Sequence, residues 1–235
     1  MAKKTQSAIY IVGGGKGGVG KTMCSLALAD WLLNEQQHDN VVAIETDDSN
    51  PDFYKSLQSV NEIKKEVINL DDESGWVKLM NMMPDFAKTG AQVVINTAAR
   101  ATPQLEKYMG DMQAGCTELQ INLHLVWVIN RQRDSLLLLN KVLEAAPTTR
   151  TTVVKNLYFG AAEKFVIFET SKARARCGEV DLPDLNDFVS DKIYSERLPL
   201  SAAAELQFGE RVSLQRFRRD CAEQFAKLVA TGDKK

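Results

Sequence analysis

From Ala8 to Leu33 the chain reads AIYIVGGGKGGVGKTMCSLALADWLL, an apolar run followed at once by a glycine-rich loop and a helix-like pattern. Few architectures accept that order. Ala8 to Gly13 has the composition of a strand buried on both faces, and Ala27, Leu28, Trp31 and Leu32 recur at helical spacing within residues 20–35. The glycines between them let consecutive backbone N–H groups turn inward. A strand feeding a helix through such a loop predicts a parallel α/β sheet, with its ligand at the carboxyl end of the strands.

The rest of the chain repeats the theme. Val41 to Thr46, Gln92 to Asn96, Leu123 to Asn130 and Thr151 to Asn156 read as buried strands, and Lys65 to Leu70 as a weaker one. Helical patterns cover 74–88 and 133–145. Such alternation predicts an α/β fold of three layers, α/β/α, around a mostly parallel central sheet of about seven or eight strands. The 235 residues suit one domain over 1–235. Beyond residue 157 the pattern weakens. The spacing of Phe165, Phe168 and Lys172 predicts a helix over 161–177. Glu179 to Leu185 reads as a short strand. Glu210 to Ala230 reads as a helix with the stripe Leu214, Phe217, Cys221, Phe225 and Leu228.

Several function classes recede on composition. A formal net charge of −2 argues against a globally basic nucleic-acid binder. Cys24, Cys116, Cys177 and Cys221 lie far apart, and His38 and His124 sit near none of them, so a zinc site or metal cluster has no support. MAKKTQS opens no secretory signal, and no apolar run approaches the ~20 residues that span a bilayer. A cytoplasmic protein with reduced thiols is expected.

Gly15, Gly20, Lys21 and Thr22 satisfy G-x-x-x-x-G-K-[ST], with the strand before and the helix after that the motif requires. The chemistry is that of a phosphate cradle. Gly15, Lys16, Gly17, Gly18, Val19 and Gly20 would offer backbone N–H groups, and the helix running on through Met23 would add its positive end. Lys21 is expected at the β- and γ-phosphates of ATP, with the Thr22 hydroxyl on Mg²⁺.

The fuller string K-G-G-V-G-K-T, Lys16 to Thr22, resembles the deviant Walker A motif of the ParA/MinD family of P-loop ATPases. The resemblance implies a homodimer formed with ATP, in which Lys16 crosses the interface to the partner's phosphates. A cation arriving there stabilises developing charge, as an arginine finger does. The family's second strand ends in D-x-D. Here the strand end is VVAIETDDSNPD, which matches Glu45 to the first acid and Asp47 to the second. The resemblance implies that Asp47 positions the attacking water beside the metal; Asp48 is its neighbour. Where the family's Walker B strand ends in Asp, QVVIN ends in Asn96, an amide that accepts a hydrogen bond but adds no negative charge. Slow hydrolysis, or binding without hydrolysis, follows as an expectation. Asn156 resembles the family's adenine-contacting Asn, and Pro183 the loop over the base. The layout is most similar to plasmid-encoded members tied to plasmid stability or conjugative transfer, the StbB and TraL-like proteins.

The expected role is therefore a slowly hydrolysing ATP-dependent dimerisation switch for plasmid or DNA partitioning, positioning or conjugative transfer, with an unidentified protein partner. Alternatives are a nucleotide-binding module without hydrolysis, a cluster or carrier ATPase, and a membrane-positioning ATPase. Non-specific DNA is a candidate partner through Lys172, Arg174, Arg176, Arg211, Arg216, Arg218 and Arg219, although acids such as Glu205, Glu210 and Glu223 lie among them. Arg131, Arg133 and Asp134 form either a plain loop or a dimer contact. The stripe on the last helix, with the chain stopping at ATGDKK, points to docking on the sheet rather than in lipid.

Overall fold

The computed structural model describes residues 6–230. Among them, seven strands form one sheet in the order β3–β2–β4–β1–β5–β6–β7, every neighbouring pair parallel. They are β1 (Ala8–Gly13), β2 (Val41–Glu45), β3 (Ile63–Val67), β4 (Gln92–Asn96), β5 (Asn122–Ile129), β6 (Arg150–Asn156) and β7 (Gly178–Leu182). The four central strands in that order, β2, β4, β1 and β5, are almost wholly buried, as continuous Val/Ile/Leu runs require.

Helices cover both faces. One core holds α1 (Lys21–Asp30), α2 (Asp52–Ser56), α7 (Asp187–Glu196) and α8 (Phe208–Ala230) against Tyr10, Val12, Ala43, Val94 and Val126. The other holds α3 (Glu73–Thr89), α4 (Thr102–Glu118), α5 (Arg133–Ala145) and the single turn α6 (Val166–Glu169) against Ile9, Ile11, Val93, Ile95 and Leu125. The two residue sets alternate along each strand, so the expected three layers are present. Leu214, Phe217, Cys221, Phe225 and Leu228 of α8 are buried, and Phe225 meets Trp31 edge-on at 5.9 Å between ring centroids. The stripe faces the sheet. No helix of the described residues is long and apolar enough to cross a membrane. Residues 231–235, on which the reading of the chain's last segment also drew, lie outside the described residues.

Three local expectations need correction. Residues 161–177 do not form one helix. They make short 3₁₀ turns at Ala162–Lys164 and Lys172–Arg176 around α6. Phe165 and Phe168 of the predicted spacing are buried, but Lys172 is exposed, and Ala173 takes the inward position instead. A series of turns with i→i+3 bonds meets that spacing as well as a helix does. The weak strand lies at Ile63–Val67 rather than 65–70, because Ile68 and Leu70 leave the sheet to pack under α3. Finally, α2, α4 and α7 were not foreseen.

Candidate functional site

β1 ends at Gly13, and the loop that follows lies at the carboxyl edge of the sheet, between its two central neighbours β4 and β5. The loop's path depends on its glycines. Gly18 and Gly20 have φ of 75° and 100°, a region that side chains disfavour. A Cβ on Gly20 would lie 2.3 Å from Asn156 Nδ2, and one on Gly15 would lie 2.9 Å from Leu138 Cδ1 on α5. Beside Gly18 there is open space. The loop is thus clamped from β6 and α5 and open where a ligand would approach.

The two lysines of the loop point to different surroundings. Lys21 is 8% exposed, and its Nζ donates to the Lys16 carbonyl at 3.0 Å. Burial pushes its pKa down to about 8, against the opposing pull of the Asp47 and Glu45 charges. The Lys16 side chain is 47% exposed, and its Nζ meets Asp134 Oδ2 at 2.5 Å. The loop carries one cation held inside the cradle and one held outside it.

The loop borders a cavity of about 670 Å³. Gly17, Gly18, Gly20, Lys21, Thr22 and Met23 line it, as do Asp47, Asn96, Asn156 and Pro183 from distant parts of the chain. Of the predicted site residues, Gly15, Lys16 and Val19 stand behind or beside that lining. Val19 is buried, and its carbonyl accepts from Asn156 Nδ2 at 2.9 Å. Asn156 Oδ1 accepts from the Tyr158 N–H at 3.1 Å. One proton on Nδ2 and one lone pair on Oδ1 remain beyond these bonds, the pair that an adenine edge would use.

Asp47 Oδ1 accepts from the Ser49 hydroxyl at 2.5 Å and from the N–H groups of Ser49 and Asn50, each at 3.2 Å. Partial burial works against its ionisation, but these donors and the Arg100 charge outweigh it and hold the carboxyl below its usual range. Asp48 turns elsewhere and accepts from Asn69 Nδ2 at 2.8 Å. Before them, at the end of β2, Glu45 is 1% exposed. It accepts from the N–H groups of Thr46, Asp47 and Phe53, and from Asn96 Nδ2 at 3.2 and 3.1 Å. Burial raises its pKa, and these donors oppose the rise. Asn96 Oδ1 accepts in turn from Ser25 Oγ at 3.0 Å.

Sequence reasoning missed Ser25, the cavity wall from Asp184 to Tyr194, and the bond from Lys16 to Asp134. Ser25 follows Thr22 by one helical turn, so its shared face was legible. The α7 wall carried no motif. The basic residues nominated for DNA are largely engaged within the protein. Arg174 pairs with Glu169 and Glu179, Arg218 with Asp30 and Arg219 with Asp220, while Arg176 donates to the Leu143 carbonyl. Cys116 is buried, which pushes its thiol up to about 12.

Residues 8–151 match the family model described as anion-transporting ATPase. The chain is 41% identical over 219 residues to Protein MobD of Acidithiobacillus ferrooxidans, covering 91% of this chain and 94% of that one. Among solved structures, the MinD cell division protein of Aquifex aeolicus superposes with a TM-score of 0.57 at 14% identity, covering 94% of this chain and 97% of the other. A nucleotide-binding protein of Archaeoglobus fulgidus, solved in complex with ADP, superposes with a TM-score of 0.50 at 13% identity, covering 82% and 88%.

Proposed function

Because the chain belongs to the anion-transporting ATPase family, as a ParA/MinD-like P-loop protein, we propose that it is an ATP-dependent dimerisation switch with slow ATPase activity. The observation that carries the reading is the opposed disposition of Lys21 and Lys16 on one glycine loop. A buried ammonium at the floor of the cradle suits the phosphates of the protein's own nucleotide. An exposed one suits those of a second subunit. Two facing triphosphates repel, and a lysine from each side offsets that repulsion only while the γ-phosphates are present.

The residues present fit the nucleotide and its metal. Gly18 and Gly20 hold the loop open with N–H groups available, and the α1 N-terminus adds favourable potential. The Thr22 hydroxyl, the Asp47 carboxylate and the Asn96 amide supply hard oxygen donors along one wall, the chemistry Mg²⁺ accepts when phosphates and water complete its shell. When bound, the ion would neutralise phosphate charge. Thr22 and Asp47 would hold it, Lys21 would hold the β- and γ-phosphates, and Asp47 would orient a water. Asn156 would face the adenine edge and Pro183 would cover the base. The resemblance of the loop and strand motifs to StbB and TraL-like proteins favours plasmid or DNA positioning or conjugative transfer as the process served, in the cytoplasm and with a further protein partner.

Sedimentation with ATP, with ADP and without nucleotide tests the switch. A dimer with ATP·Mg²⁺ alone, lost on Lys16→Ala, is the expected result; an assembly state indifferent to nucleotide overturns it. Asn96 favours one second reading, a module that binds without hydrolysing. Single-turnover phosphate release by the natural protein, absent in Asp47→Ala, separates the two. Equal absence of release in both supports the module.

A further inference from the structure

Glu45 and Asn96 are the last residues of β2 and β4, and the parallel register sets them side by side. The Asn96 amide nitrogen lies 3.2 and 3.1 Å from the two carboxylate oxygens of Glu45. That contact fixes which way the amide faces, since its oxygen turned toward a carboxylate would be repelled. Asn96 Oδ1 is therefore directed to the α1 side, where Ser25 Oγ donates to it, one helical turn beyond Thr22. Asn96 and Thr22 both line the cavity, whereas Glu45, at 1% exposure, is sealed beneath it.

We propose that Glu45 is a positioning residue for the metal, supplying through the Asn96 amide the negative charge that the end of β4 lacks. The proposal rests on the nucleotide-switch reading above. The carboxylate draws on the Nδ2–H and leaves Oδ1 the more negative, a polarisation that buried hydrogen-bond chains transmit. Oδ1 retains a second lone pair for a metal-bound water. Glu45 thus places a negative charge directly behind Asn96, beside the Asp47 carboxylate at the cavity. The arrangement suits a neutral amide at 96. An aspartate there would turn a carboxylate oxygen toward Glu45 where the amide N–H now donates, replacing two attractive contacts with like-charge repulsion.

The consequence is that restoring the missing acid alone does harm. The test is equilibrium binding of a fluorescent ATP analogue to the full chain, with Mg²⁺ titrated from none, alongside a melting curve for each variant. Glu45→Gln is expected to raise the Mg²⁺ concentration for half-maximal binding roughly tenfold, the usual scale for a residue behind a metal ligand. Asn96→Asp is expected to raise it too, or to lower the melting temperature. The double variant Glu45→Gln/Asn96→Asp is expected to return within about threefold of the natural protein, because the charge is restored on the other strand. Should Glu45→Gln not fold alone, Asn96→Asp and the double variant decide. Tighter Mg²⁺ coupling in Asn96→Asp with Glu45 intact, or an unchanged Mg²⁺ midpoint in folded Glu45→Gln, overturns the proposal while leaving the switch standing. Absence of analogue binding to the natural protein at any Mg²⁺ concentration overturns both.

Discussion

Lys16 Nζ and Asp134 Oδ2 stand 2.5 Å apart, so the outward lysine of the phosphate loop is held by the start of α5 within the same chain. Both side chains are about half exposed, at 47% and 54%. An ion pair so open to water contributes at most about 1 kcal/mol. It restrains Lys16 without trapping it. Each dimer would release two such lysines, so Asp134→Ala should tighten ATP-dependent self-association by no more than about thirtyfold. Sedimentation equilibrium at two salt concentrations checks this, because the difference from the natural protein should shrink as salt rises. A loss of association in Asp134→Ala would instead make the aspartate part of the interface.

Gly20 and Gly18 separate two reasons for glycine. At Gly20 both apply: φ is 100°, and a Cβ would lie 2.3 Å from the Asn156 amide nitrogen. At Gly18 only the backbone angle applies, since nothing stands within 4 Å. Gly18→Ala is expected to cost about 1 kcal/mol of stability and, because its methyl group enters the open side of the loop, to weaken nucleotide binding less than Gly20→Ala does. Gly20→Ala should cost about 2–3 kcal/mol and abolish binding, because the Asn156 bond to the Val19 carbonyl is displaced with it. Thermal melts and a binding isotherm on both variants are the measurement. Equal losses would mean that the Asn156 clamp is irrelevant to the loop.

How far the sequence carried is best seen in particular elements. The buried strands were legible because β1, β2, β4 and β5 are apolar on both faces, and periodicity had no rival reading there. The loop was legible because Gly, Lys and Thr at fixed spacing serve one chemistry. α4 was missed although Leu105, Met109, Met112 and Cys116 make a stripe, because Gly110 and Gly115 depress its helix propensity. α7 buries only Val189 and Ile193, too few for a periodic signal, and its start depends on Asn186 accepting from the Phe188 N–H. The Glu45–Asn96 contact joins residues 51 positions apart. No local pattern encodes such a pair; it follows from strand order.

Lys21 supplies a pH prediction. In the cradle without nucleotide its pKa is lowered to about 8 by burial. Phosphates favour the protonated form, so binding at higher pH must include uptake of a proton. ATP affinity should be level below pH 8 and fall by up to tenfold per unit above it, until the pKa of the bound state is reached. Lys21→Arg stays charged across this range and should show a flat profile, at whatever affinity it retains. Isothermal titration in two buffers of different ionisation enthalpy reads the proton directly. No proton uptake at pH 9 would show that Lys21 stays charged in its buried position.

His124 supplies a prediction for the fold's stability in acid. It lies in β5 with its Nε2 2.9 Å from Thr152 Oγ1 and its ring centroid 5.8 Å from that of Tyr10. Burial first, and the Arg150 charge second, push its pKa down to about 3 from 6.5. The sign follows from proton counting. Between these values the unfolded chain binds the proton and the folded chain does not, so stability rises with pH across that window. His124 thus adds its full contribution above pH 6.5 and loses on the order of 1 kcal/mol per unit as pH falls toward 3. Carboxylates titrate over part of the same range, so the comparison is with His124→Gln, which keeps a hydrogen-bonding group near Thr152 but no titrating ring. From pH 7 to pH 4.5 the melting temperature of the natural protein should fall more steeply than that of the variant. Parallel curves would mean that the ring is protonated inside the folded sheet, and the burial argument for His124 would fail.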